Sequence, residues 1–242
     1  MIRALETIRS LLLWVVAFPV FILCCLAILL TALVYRGPKL EPFIKFCCRT
    51  ILFFAGVRVR ARGLEHYEPG HRYMLMMNHV NFLDPMVFYA RFPGRARGIE
   101  EESHFRWPVY GAMLRRIGTL PVDRKNPRKA KASLIRAAEF IRARKDFSFL
   151  VLPEGTRTTD GKLGPFKRGG FLLAREAGLE ILPIIQVGAY RINRKGSRLI
   201  RPGRIEYIIE APIAAPGDSK EDLAVWMEQV RAIFLKYLDG AR

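Results

Sequence analysis

The chain has 242 residues, 51% of them hydrophobic, which suits one substantial domain with a sizeable core. Its 40 basic and 22 acidic side chains leave a formal charge of +18, and a charge that large calls for an anionic partner or surface. No zinc-finger spacing, RNA-recognition signature or interleaved aromatic and basic stripe accompanies it, so nucleic acid is excluded and an anionic membrane surface favoured.

Residues 11–35, "LLLWVVAFPVFILCCLAILLTALVY", carry no charge and are long enough to cross a hydrocarbon layer as a helix, with a kink expected at Pro19. Arg3, Arg9, Arg36 and Lys39 flank the segment on both sides, so no orientation follows from charge. A second apolar stretch at 43–57 is broken by Lys45 and Arg49, which predicts an amphipathic helix in the interface or a hairpin partner for the first. A cleaved signal peptide is the competing reading, but the apolar run is too long and no small-residue cleavage pattern follows it. The cysteines form two adjacent pairs, Cys24-Cys25 and Cys47-Cys48, without metal-ligand spacing or a disulfide framework, and read as buried thiols. Residues 1–56 are thus expected to be a hydrophobic helical membrane anchor and 57–242 a separate α/β domain.

Within that domain "VRVRARG" at 57–63 alternates like a strand, and the apolar run Tyr73–Met77 reads as a buried one. Asp84 as N-cap with Pro85 next predicts a helix over 85–91. "RWPVYGAMLRRIG" suggests a short helix and "TLPVD" a strand ending at Asp123. A helix over 128–144 presents Ala130, Leu134, Ile135, Ala138 and Ile141 on one face and basic residues on the other. Strands follow at 147–153, 179–190 and "RIEYIIEAPI", with a helix at 169–178 stopped by Gly178. Ser219 and Asp222 can box the start of a last helix carrying Leu223, Trp226, Val230, Ile233 and Tyr237. The alternation predicts an α/β fold, a mixed sheet flanked by helices. Between residues 91 and 145 there are 15 Lys/Arg against 5 Asp/Glu, further basic surface for lipid headgroups.

The stretch "YMLMMNHVNFLDPMVFY" sets His79 and Asp84 five residues apart. On one helix they would diverge by about 140°. With His79 just past a strand and Asp84 just before a helix, a bent loop can join them instead, the pairing that fixes a histidine tautomer and makes it a better base. A capping aspartate beside an unrelated surface histidine is the alternative. Three further loops at strand ends carry unusual residues: "GTLPVDR" with Asp123 and Arg124, "LPEGTRT" with Glu154, Gly155, Thr156 and Arg157, and "ILPIIQVG", where Pro183 requires an edge or a bulge. Gly155 permits close backbone approach, Thr156 offers a hydroxyl, and Arg157 offers the planar fork that suits phosphate oxygens.

Taken in order, "NHVNFLD", "GTLPVDR", "PEGTR" and "ILPII" resemble the four blocks of the glycerophospholipid acyltransferases, in particular the 1-acylglycerol-3-phosphate acyltransferase family, over roughly residues 57–215. The resemblance implies an α/β domain anchored to one membrane face, expected to be the cytoplasmic face of the cell membrane. It implies transfer of a fatty acyl group from an acyl-CoA or acyl carrier protein thioester to the sn-2 hydroxyl of a lysophospholipid acceptor, with no cofactor and no metal. His79 would be the general base and Asp84 its orienting partner; Arg124 and Arg157 would grip the phosphate, Glu154 would orient an arginine or hydroxyl, and Gly155 and Thr156 would shape the cradle. No G-x-S-x-G elbow is present, so transfer would be direct. Many relatives carry Lys-Glu where this chain has Glu102-Ser103; Arg97 or Arg106 is a candidate substitute, and an amine-bearing lysolipid acceptor or an idle lipid-binding module is an alternative.

Overall fold

The structure is a computed structural model that describes residues 2–35, 37–122 and 127–239. Seven strands form one sheet: β1 (Val57–Arg62), β2 (Tyr73–Met77), β3 (Ala96–Glu101), β4 (Leu120–Val122), β5 (Ser148–Val151), β6 (Glu180–Val187) and β7 (Gly203–Ile209), in the order β1-β7-β6-β2-β5-β3-β4. Every pairing is parallel except β6 with β7, so the expected mixed α/β sheet is observed. β2 is buried along its whole length because both faces are covered, as a parallel sheet requires. Tyr73, Leu75 and Met77 point to one core, and Met74 and Met76 to the other, with the period of two that a strand imposes.

Helices α1 (Ile2–Val34), α2 (Glu41–Phe54), α3 (Asp84–Arg91) and α4 (Tyr110–Ile117) cover the first face. Helices α5 (Pro127–Ala143), α6 (Arg168–Ala177) and α8 (Lys220–Leu238) cover the second, and α7 (Ala189–Ile192) is a single turn after β6. α1 is long and apolar enough to cross a membrane. α2 packs against it as a hairpin partner, with both cysteine pairs buried and unbridged. The hairpin shares its core with the sheet: a buried ion pair joins Glu41 at the start of α2 to Arg97 on β3, and Arg116 Nε donates to Ala32 O at 2.9 Å.

Several local expectations are met. Gly178 takes the left-handed conformation, φ 65°, that ends α6, and Ser219 and Asp222 form the complete capping box of α8. Others need correction. In α5 it is Ala137, not the exposed Ile135, that joins Ala138 and Ile141 against the sheet, and the side chain of Ala130 lies outside the described residues. In α8 the fourth buried residue is Phe234, with Ile233 and Tyr237 at the margin. β6 is central and not an edge strand. Its proline is accommodated by a bulge: pairings Ile181↔Ile213 and Ile184↔Ile209 enclose Pro183 and leave one extra residue on the opposing chain.

Candidate active site

His79 follows β2 by two residues, at the carboxyl end of the parallel strands. Its Nδ1 lies 2.6 Å from Asp84 Oδ2, across a loop that turns back on itself between β2 and α3. Asp84 heads α3 but does not cap it. Its carboxylate points backward, because the loop's own amides supply better partners: Val80 N–H donates at 2.7 Å and Asn81 N–H at 3.1 Å. Gln186 Nε2 donates at 2.7 Å to Oδ1, the oxygen that also accepts from Asn81 N–H at 3.1 Å. Asp84 is fully buried, and every group around it is a donor, the setting in which a carboxylate can be buried without forfeiting its hydrogen bonds. Since the carboxylate accepts, the His79 proton sits on Nδ1, and Nε2 is left to act on whatever enters the cavity that the ring lines.

A lattice of buried amides locks this loop to β6. Asn78 and Gln186 exchange hydrogen bonds, Nδ2 to Gln186 O at 3.0 Å and Gln186 N–H to Asn78 Oδ1 at 2.8 Å, and Asn81 Nδ2 reaches Ala189 O at 2.9 Å. These three residues were missed from the sequence. The available signal was Gln186 itself, a lone polar residue inside the apolar run "ILPIIQV".

The loop after β5 clasps His79 from the other side. Glu154 Oε1 accepts the His79 backbone N–H at 2.7 Å, and Thr158 N–H donates to His79 O at 3.0 Å. Glu154 Oε2 accepts from Gly164 N–H at 2.8 Å, so this carboxylate orients backbone rather than an arginine or hydroxyl. Burial pushes its carboxyl above the ordinary value, and those two N–H groups pull it partway back. Gly155 has φ +66°, and a Cβ there would sit 2.9 Å from Lys167 Cδ. Thr156 Oγ1 accepts from Lys195 Nζ at 2.9 Å. Arg157 lines the same cavity as His79 and makes no hydrogen bond or ion pair with any described residue. Arg124 lies outside the described residues. Arg97 is buried against Glu41 and does not reach the cavity.

That cavity has a volume of about 380 Å³. It adjoins a smaller, mainly apolar one of about 90 Å³ lined by α1, α2, α3 and α4 and by β3 and β5 of the sheet, and residues such as Phe21, Met86 and Tyr110 line both.

The chain is an α/β protein with a histidine–carboxylate pair at the carboxyl end of its parallel strands. A family model described as acyltransferase matches residues 58–187, more than half of the chain, and the chain belongs to the acyltransferase family. It is 28% identical over 212 residues to the 1-acyl-sn-glycerol-3-phosphate acyltransferase alpha of Bos taurus, covering 88% of this chain and 74% of that one. The chloroplastic 1-acyl-sn-glycerol-3-phosphate acyltransferase BAT2 of Brassica napus is 31% identical over 188 residues, 76% of this chain and 53% of that one. In fold the chain matches the crystal structure of the 1-acyl-sn-glycerophosphate (LPA) acyltransferase PlsC from Thermotoga maritima, with a TM-score of 0.81 over 100% of this chain and 99% of that one, at 20% identity.

Proposed function

We propose that this chain is a membrane-embedded 1-acylglycerol-3-phosphate O-acyltransferase, which makes phosphatidic acid from lysophosphatidic acid and an acyl thioester of coenzyme A or acyl carrier protein. The observation that carries the reading is the His79–Asp84 pair, 2.6 Å apart, lining the same cavity as the Arg157 guanidinium, which has no partner among the described residues. The sn-2 hydroxyl gives its proton to His79 Nε2 as its oxygen bonds to the thioester carbonyl carbon. Asp84 stabilises the imidazolium so formed. The carbon–sulfur bond then breaks, and the leaving sulfur takes the proton from His79 and departs as a thiol. Such base catalysis contributes about 10² to 10⁴ in rate, and holding both substrates in one cavity contributes more.

Arg157, with Arg124 by family resemblance, grips the acceptor phosphate through charge-assisted hydrogen bonds. Glu154, Gly155 and Thr156 hold the turn that presents Arg157, and Glu154 also fixes the His79 backbone. The apolar cavity between the hairpin and the sheet suits part of the acyl chain of the thioester, since it is walled mainly by hydrocarbon and shares lining residues with the cavity that His79 lines. The exposed apolar side chains of the hairpin, among them Leu12, Leu23, Phe46 and Phe53, suit the membrane interior, and the basic surface suits anionic headgroups at its cytoplasmic face.

The test is thioester consumption by the purified protein in detergent with and without lysophosphatidic acid, and with the product identified. Acceptor-dependent release of thiol with formation of phosphatidic acid is expected. Thiol release that ignores the acceptor, or transfer confined to an amine-bearing lysolipid, would overturn the assignment.

A further inference from the structure

The cavity faced by His79 contains a second histidine–carboxylate pair. His104 and Glu100 line it together with Trp107 and Arg157. His104 Nδ1 lies 2.7 Å from Glu100 Oε1, and the ring rests against Trp107 with centroids 4.8 Å apart. A carboxylate only accepts, so Nδ1 carries a proton and the orientation of the ring is fixed. Neither its Nε2 nor the indole N–H of Trp107 has a hydrogen-bond partner among the described residues. The pair stands where the chain leaves the carboxyl end of β3, alongside the ends of β2 and β5 that carry His79 and Glu154.

We propose that His104, held by Glu100, is a second ligand for the phosphate of the acceptor, an inference that rests on the lysophosphatidic acid reading above. His104 Nε2 and one phosphate oxygen share a proton in a single hydrogen bond, while Arg157 donates to other oxygens. Glu100 Oε1 accepts from His104 Nδ1 and so fixes the orientation of a ring that lines the cavity. An amine headgroup fits less well. The Glu100 oxygen nearest the ring is already taken by His104 and by the Glu101 N–H at 3.2 Å, and the guanidinium in the same cavity would repel a second cation. The wall also presents two donors without partners among the described residues, the Arg157 guanidinium and the Trp107 indole N–H, and donors are what a phosphate requires.

Steady-state kinetics of the detergent-solubilised full chain, with each substrate varied, test this. His104→Ala should raise KM for lysophosphatidic acid about 10- to 100-fold, the range for losing a charge-assisted hydrogen bond, while KM for the thioester and kcat stay within about twofold. His104→Lys should restore most of the acceptor affinity, and Glu100→Gln should weaken it. An unchanged acceptor KM in H104A, a rise shared equally by both substrates, failure of H104K to improve on H104A, or tighter acceptor binding by E100Q would each overturn the assignment. Native protein that transfers nothing to lysophosphatidic acid would instead remove the reading on which it rests.

Discussion

Glu154 illustrates how a single side chain can serve a site without touching substrate. It is buried, and its two oxygens are committed to the backbone N–H groups of His79 and Gly164. Its carboxyl is raised, with burial the leading cause. A carboxyl raised in the folded state contributes stability that is fully present below its unfolded value and lost as pH climbs through its folded value. Glu154→Gln abolishes that titration while keeping one oxygen as acceptor. The melting midpoint of the native protein minus that of E154Q should therefore grow as pH is lowered from about 7 to about 5. A difference that is flat, or that shrinks toward acid, would show that the carboxyl is not raised.

At the scale of elements, the buried pair Arg97–Glu41 is the polar contact between the hairpin and β3, reinforced by Arg97 stacked over Phe147 at 3.8 Å. Arg97→Ala strands a buried carboxylate and should cost about 3–5 kcal/mol, whereas joint replacement of both residues by Met and Leu should return the protein to near its native stability. Urea unfolding in micelles measures both. If the double variant is as unstable as the single one, the loss comes from packing and not from the orphaned charge. Much of this level was legible in the sequence. Strand and helix periodicities placed β2, α6 and α8, and the His79–Asp84 spacing already allowed a bent loop to join the two, because those signals are local. The reach of Gln186 to Asp84 and Asn78 was not legible, since it joins residues more than 100 positions apart. Pro183 was read as needing an edge or a bulge; the sheet order that makes its strand central, and so decides for the bulge, depends on pairings no local pattern encodes. Asp84 was read as a cap because Asp-Pro is a strong local signal; the loop amides outcompete the helix for its oxygens.

For the whole molecule, the hairpin and the sheet form one hydrophobic core, so α1 and α2 are structural as well as the proposed membrane anchor. Their removal would expose apolar side chains on α3 and β1, the elements against which α2 packs. The truncated chain should aggregate without detergent even if its strands still pair. Size-exclusion chromatography decides this, and a monomeric, soluble, fully active truncation would contradict it.

His79 acting as the base in direct acyl transfer is the claim on which every other role depends. It is tested by the turnover of His79→Ala at saturating thioester and lysophosphatidic acid, measured beside the native protein in the same detergent and with melting midpoints compared. The predicted result is an unchanged midpoint and a loss of at least about 100-fold in turnover. Retention of more than about a tenth of native turnover, above what loss of a general base permits, would contradict it.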